Sequence, residues 1–152
     1  ILFRILAKIT KYMFNTSITL DTLNSMSKGT MIEHLGIEFT EIQSEFIKAK
    51  MPVDHRTKQP LGLLHGGASV VLAETLGSVA VVLAVKDPKT ETGVGVEINA
   101  NHLKSARGGF VTGTCIPLRI GRKIHVYEIK IHDEEENLIC ASRLTVAIIP
   151  LK

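Results

Sequence analysis

Residues 64–85 read LHGGASVVLAETLGSVAVVLAV, a run of aliphatic, small and hydroxyl residues broken only by His65 at its start and one carboxylate, Glu74, in its middle. A helix apolar on nearly every side must be covered nearly all round. The run approaches the length of about 20 residues that crosses a hydrocarbon layer. Against a span stand the central Glu74, the glycines at 66, 67 and 77, the lack of an aromatic belt, and the alternating segments downstream that need a helix to cover them. The run therefore reads as a core helix closed by Asp87-Pro88, and no membrane partner is expected.

Working outward, four segments follow in which apolar and polar residues alternate as in strands: GVGVEINANHLK (93–104), GFVTGTCIPLRIG (109–121), KIHVYEIKIHD (123–133) and NLICASRLTVAIIP (137–150). Short turn signals separate them, at Arg107-Gly108-Gly109, Gly121-Arg122 and 134–137, so consecutive strands are expected to be antiparallel neighbours. Before the helix, LGIEFTEI (35–42) and EFIKAKMPV (45–53) alternate in the same way. TLDTLNSM (19–26) reads as a short helix ended by Lys28-Gly29, and DHRTKQPLGL (54–63) as a loop. One apolar helix and five or six antiparallel strands have one economical arrangement: an α+β domain in which a curled sheet wraps a long central helix.

The chain has 152 residues, 22% charged and 45% hydrophobic, with a net charge of +3. That length fits one domain, and that charge is too small to argue for a nucleic-acid partner. Cys115 and Cys140 form no CxxC pair and have no His/Cys cluster beside them, so neither a metal site nor a disulfide framework is expected, and a reducing cytoplasm is the natural setting. The first twelve residues, ILFRILAKITKY, place Arg4, Lys8 and Lys11 on one helical face. That spacing would suit an interfacial helix, but the segment is expected to be sequence ahead of a start at Met13, leaving 13–152 as the single domain.

Glu74 is the anomaly, because a buried carboxylate without partners is costly enough to shift its pKa or recruit a partner. His65-Gly66-Gly67 stands at the helix entry, where the first N–H groups lack intrahelical acceptors and the macrodipole is positive. Such an end can receive a developing oxyanion, and glycine allows a carbonyl to approach closely. Nine residues separate His65 from Glu74, which puts them on opposite sides of the helix and roughly 13 Å apart. If both serve one site, two subunits must build it. Ser78 lies four residues after Glu74 and shares its face.

The segment QPLGLLHGGASVVLAETLGS (59–78), with MPVDHRTKQP (51–60), EINANHLKSAR (97–107) and SRLTVAI (142–148), resembles the hotdog-fold acyl-CoA thioesterases of the phenylacetate type over about 130 residues. Within that family the chain is most similar to the enzymes that hydrolyse 1,4-dihydroxy-2-naphthoyl-CoA in menaquinone biosynthesis and to the proofreading thioesterases of enterobactin synthesis. The resemblance implies that Gly66 N–H and the Gln59 side chain polarise the thioester carbonyl. It also implies that Glu74 of a partner subunit is base or nucleophile, that His65 contacts the thioester region and that Ser78 positions water. It places coenzyme A near His102, Lys104 and Arg122, whose cations can pair with phosphates. It implies a homodimer with shared sites, paired into a dimer of dimers, and no cofactor or metal. Two other classes compete: a hotdog domain that binds acyl thioesters without cleaving them, which would gain nothing from Glu74, and a hydratase, whose Asp and His pair is not found here.

Overall fold

The computed structural model describes residues 14–151; the expectation for residues 1–12 lies outside the described residues. In chain order the elements are α1 (Leu20–Met26), α2 (Met31–His34), β1 (Glu38–Ile42), β2 (Ile47–Pro52), α3 (Gly66–Ala84), β3 (Glu91–His102), β4 (Phe110–Ile120), β5 (Ile124–Asp133) and β6 (Leu138–Pro150). Thr19 caps α1 by accepting from Thr22 N–H at 3.2 Å. The one-turn α2, capped by Thr30, is too short to give a periodic signal, and the sequence pattern did not reveal it.

The six strands form one antiparallel sheet in the order β1-β2-β4-β5-β6-β3. The expectation that the last four strands neighbour each other in sequence order fails at one place, since β3 pairs with β6 and not with β4. From β3 to β4 is three strand spacings, about 14 Å, and seven residues can reach roughly 23 Å. The 103–109 segment makes this crossing and is tied down along the way. Leu103 N–H donates to Ile139 O at 2.8 Å, Ala106 O accepts from Leu64 N–H at 2.8 Å, and Gly109 O accepts from Val53 N–H at 2.9 Å. A connection that reads as a tight turn is thus a strap across the entry of α3.

α3 is long and apolar enough to cross a membrane, with mean hydropathy 1.8. Here it packs against β2, β3, β4, β5 and β6, which a single straight helix can do only if the sheet curls around it. Leu72, Leu76, Ala80 and Val81 from the helix are buried with Met51, Val111, Tyr127, Ile129 and Leu144 from the strands. Each large aliphatic side chain so buried contributes about 1.5–3 kcal/mol. Close approach depends on Gly77: a Cβ there would stand 3.3 Å from both Cβ and Cγ of Leu144, and nearer still to its Cδ2.

The two edges of the sheet differ. β1 has five residues, and the carboxamide of Asn24 imitates a further strand beside it, accepting from Phe39 N–H at 2.9 Å and donating to Phe39 O at 3.1 Å. β3 has twelve residues, and among the described residues nothing pairs its outer edge, where Val94 and Val96 are 48% and 62% exposed. Long open edges of this kind recruit another strand unless something blunts them.

Replacing glycine by alanine in an exposed helix interior stabilises by about 1 kcal/mol. At Gly77 the sign should reverse: Gly77→Ala is expected to cost about 1–3 kcal/mol, because Leu144 Cβ is fixed to its backbone and cannot move aside. Urea unfolding measures this, and a gain in stability would contradict the packing.

Candidate active site

The helix entry is assembled by the loop that precedes it. Thr57 is buried, its hydroxyl donates to Pro52 O at 2.6 Å, and its carbonyl accepts from His65 N–H at 2.8 Å. Asp54 and Arg56 pair across the same turn at 2.6 Å, and the Arg56 guanidinium brings the Asp54 carboxyl down to about 2. The chain then doubles back: Gln59 N–H donates to Leu63 O at 2.8 Å, and Gly62, at φ 77°, takes a conformation that favours glycine.

This reversal sets Gln59 beside the start of α3. Gln59 Oε1 accepts from Leu61 N–H, which assigns the oxygen of the amide by chemistry, since an N–H requires an acceptor. The Nε2 donors are left for another partner. His65 is the N-cap, and its Nδ1 accepts from Gly67 N–H at 2.8 Å. In the neutral ring the proton then sits on Nε2, a second available donor. Gly66 N–H has no acceptor among the described residues. Gln59 and Gly66 N–H therefore share one cleft with the positive end of a 19-residue helix, and His65 caps that end beside them. That arrangement suits a carbonyl oxygen gaining negative charge.

These groups open into a cleft of about 350 Å³ whose walls include Gln59, Gly66, Ser69, His102, Lys104 and Ile139. The His102 ring lies against Gly66: a Cβ at position 66 would stand 2.7 Å from His102 Nε2. Any side chain there would fill the space beside the free N–H. Lys104 is exposed at the mouth. Among the described residues no carboxylate lines the cleft.

Glu74 and Ser78 lie elsewhere. Ser78 Oγ donates to Glu74 Oε1 at 3.2 Å, as their shared face predicts. Glu74 is half-buried in the single chain and not enclosed. Its carboxylate rests on Gly95 of the open strand β3, where a Cβ would be 2.8 Å from Oε1. The carboxylate thus reaches the edge of the sheet because α3 crosses beneath β3 at a glycine.

Of the residues singled out in the sequence, one chain brings together Gln59, His65, Gly66, His102 and Lys104. It holds Glu74 with Ser78 two turns further on. Arg122 is separate: it lines a second cavity, of about 410 Å³, with Val85 and Lys86 at the far end of α3, roughly 27 Å from Gly66. Lys104 and Arg122 of one chain cannot grip one nucleotide together at that separation. Sequence reasoning passed over Ser69, which is buried in the cleft wall. Its spacing of three residues from Gly66 puts both on neighbouring positions of one helix face.

Comparison with known proteins agrees with this architecture. A family model described as the thioesterase superfamily matches residues 61–140. The chain is 54% identical over 132 residues to the 1,4-dihydroxy-2-naphthoyl-CoA hydrolase of Escherichia coli, covering 87% of this chain and 96% of that one. It is 50% identical over 130 residues to the proofreading thioesterase EntH of Cronobacter turicensis, covering 86% and 93%. Among solved structures, a thioesterase from Haemophilus influenzae superposes with a TM-score of 0.88 at 47% identity, covering 91% of this chain and 96% of that one. The helix wrapped by a six-stranded antiparallel sheet is the hotdog fold of those enzymes, and by sequence and fold alike this chain belongs to the thioesterase superfamily as a thioester hydrolase.

Proposed function

We propose that this chain hydrolyses an aromatic acyl-CoA thioester of the class of 1,4-dihydroxy-2-naphthoyl-CoA, giving the free acid and coenzyme A, at sites shared between two copies of the chain. The observation that carries the shared site is that the oxyanion-type donors open into a cleft without a carboxylate, while Glu74 rests at an unpaired strand edge. Pairing of β3 with β3 of a second copy would bury Val94 and Val96 and extend one sheet through both chains. A two-fold axis at that edge makes the contact reciprocal, so each Glu74 faces its partner's helix entry.

In this reading the thioester carbonyl oxygen accepts from Gly66 N–H and Gln59 Nε2, with His65 alongside. The partner's carboxylate, Glu74, takes a proton from a water that Ser78 helps to hold. The water oxygen adds to the carbonyl carbon, the oxyanion is stabilised by the two donors, and the C–S bond breaks as the carbonyl re-forms. The thiolate of coenzyme A leaves and is protonated by solvent. Direct attack by Glu74, giving a mixed anhydride that water then opens, uses the same geometry. No metal or cofactor enters either route. The pantetheine arm passes His102 and Lys104 toward the mouth of the cleft, and Arg122, given its place at the far end of α3, meets the nucleotide only from another subunit. Phe110, Ile116 and Leu118 are exposed on β4 and offer a further contact by which dimers pair into a homotetramer. The substrate class places the reaction in menaquinone biosynthesis, and two buried free cysteines suit the cytoplasm.

Two measurements test this. Glu74→Gln should lower kcat about 10²–10⁴-fold in a thiol-release assay, the range lost with a general base, and Gln59→Ala about 10²–10³-fold, the range for one oxyanion donor. Undiminished turnover of Glu74→Gln would leave a binding module as the better account. Across a panel of aromatic acyl-CoA, aliphatic acyl-CoA and aryl-carrier-protein thioesters, kcat/KM should be highest for the aromatic CoA esters. A preference for the carrier-protein thioester would assign the proofreading role instead, and a preference for long aliphatic chains would overturn both.

A further inference from the structure

Ser69 is a buried polar side chain in the cleft wall that the mechanism above does not use. It is 1% exposed, and its hydroxyl takes no part in the side-chain hydrogen bonds among the described residues, unlike those of Ser27, Thr57 and Ser78. A serine inside a helix commonly bonds back to the carbonyl four residues earlier. Ser27 does so with Leu23 O at 3.1 Å, whereas Ser69 does not, although His65 O lies four residues before it. No fully enclosed side-chain nitrogen or oxygen among the described residues lacks a partner. The trace of surface that Ser69 keeps is therefore its hydroxyl, and it opens into the cleft it lines.

The direction of the cleft decides what that hydroxyl meets. Exposed Lys104 and Ser105 mark the mouth, and a charged coenzyme must leave by that end. Ser69, Leu64 and Ile139 form the inner wall, which is otherwise apolar. Ser69 lies three residues beyond Gly66, roughly 4.5 Å deeper along α3. With the carbonyl oxygen on Gly66 N–H, that depth is within reach of a substituent on the ring carbon next to the acyl group.

We propose that the Ser69 hydroxyl hydrogen-bonds a ring hydroxyl of the acyl group and so selects hydroxylated aromatic acyl-CoA esters over their unsubstituted analogues. The inference rests on the thioesterase reading above and adds the chemical feature that the site recognises. Discrimination is strong in this direction because an analogue without the hydroxyl leaves a buried polar group unpaired, whereas an apolar wall would barely distinguish the two.

The test compares kcat/KM for 1-hydroxy-2-naphthoyl-CoA and 2-naphthoyl-CoA, which share coenzyme, carbonyl and ring size, in the unmodified enzyme and in Ser69→Ala. The unmodified enzyme should prefer the hydroxylated ester, and Ser69→Ala should reduce the ratio of the two constants about ten-fold, the scale of one lost buried hydrogen bond. A misfolded fraction or a lost contact to the pantetheine arm lowers both constants together and leaves their ratio intact. An unchanged ratio in Ser69→Ala would overturn the proposal while leaving hydrolysis established; absence of turnover of every thioester by the unmodified enzyme would overturn the functional reading and this proposal with it.

Discussion

A helix that is apolar all round has to be enclosed, and most of this fold follows from enclosing α3. Its nineteen residues, Gly66–Ala84, have too little polar surface for one wet face, so strands must approach from several sides and the sheet must bend around them. Gly77 and Gly93 set how close they come, since a Cβ at Gly93 would stand 2.9 Å from Val81 and 2.7 Å from Val146. Enclosure fixes the chemistry as well: with the helix body filled by packing, only its entry and the margin beside β3 remain for polar groups.

Those two places are held apart by the helical repeat. Gly66 and Glu74 share one rigid element and lie eight residues, roughly 12 Å, apart along it, so no loop motion within a chain brings them together. The donors gather at the entry because Thr57 anchors the loop and Gln59 folds back onto Leu61. The carboxylate gathers at the open strand because Gly95 leaves room for it. A thioester needs both halves, an electrophilic clamp and a base, and in the proposed reading a second copy of the chain supplies the half that the first holds out of reach.

The sequence was a good guide wherever local pattern decides structure. The core helix was expected from Leu64 to Val85 and spans Gly66–Ala84, and five of the six strands fall within the alternating segments, β3 beginning two residues ahead of its own at Glu91. It misled where the outcome depends on the path of a loop. Arg107-Gly108-Gly109 looks like a hairpin turn, but hydrogen bonds to Ile139 O and from Leu64 and Val53 N–H hold the 103–109 segment across the helix entry, and β3 pairs with β6. The same strap brings Lys104 to the cleft, which spacing alone could not place. Glu74 looks buried in a string of aliphatics, yet it stands half-open because β3 ends the sheet beside it. Ser69 was passed over because a serine in a small-residue run carries no signal until its missing partner is seen.

A site divided between chains is tested most directly by mixing two inactive proteins. Glu74→Gln and Gln59→Ala chains, unfolded and refolded together, would form hybrids in which one site joins an intact Gln59 to an intact Glu74 and the other carries both lesions. Random pairing makes half of the dimers hybrid, so the mixture should recover roughly a quarter of unmodified activity while either variant alone stays near its own low value. Activity of the mixture no higher than the average of the two variants would show that each site lies within one chain.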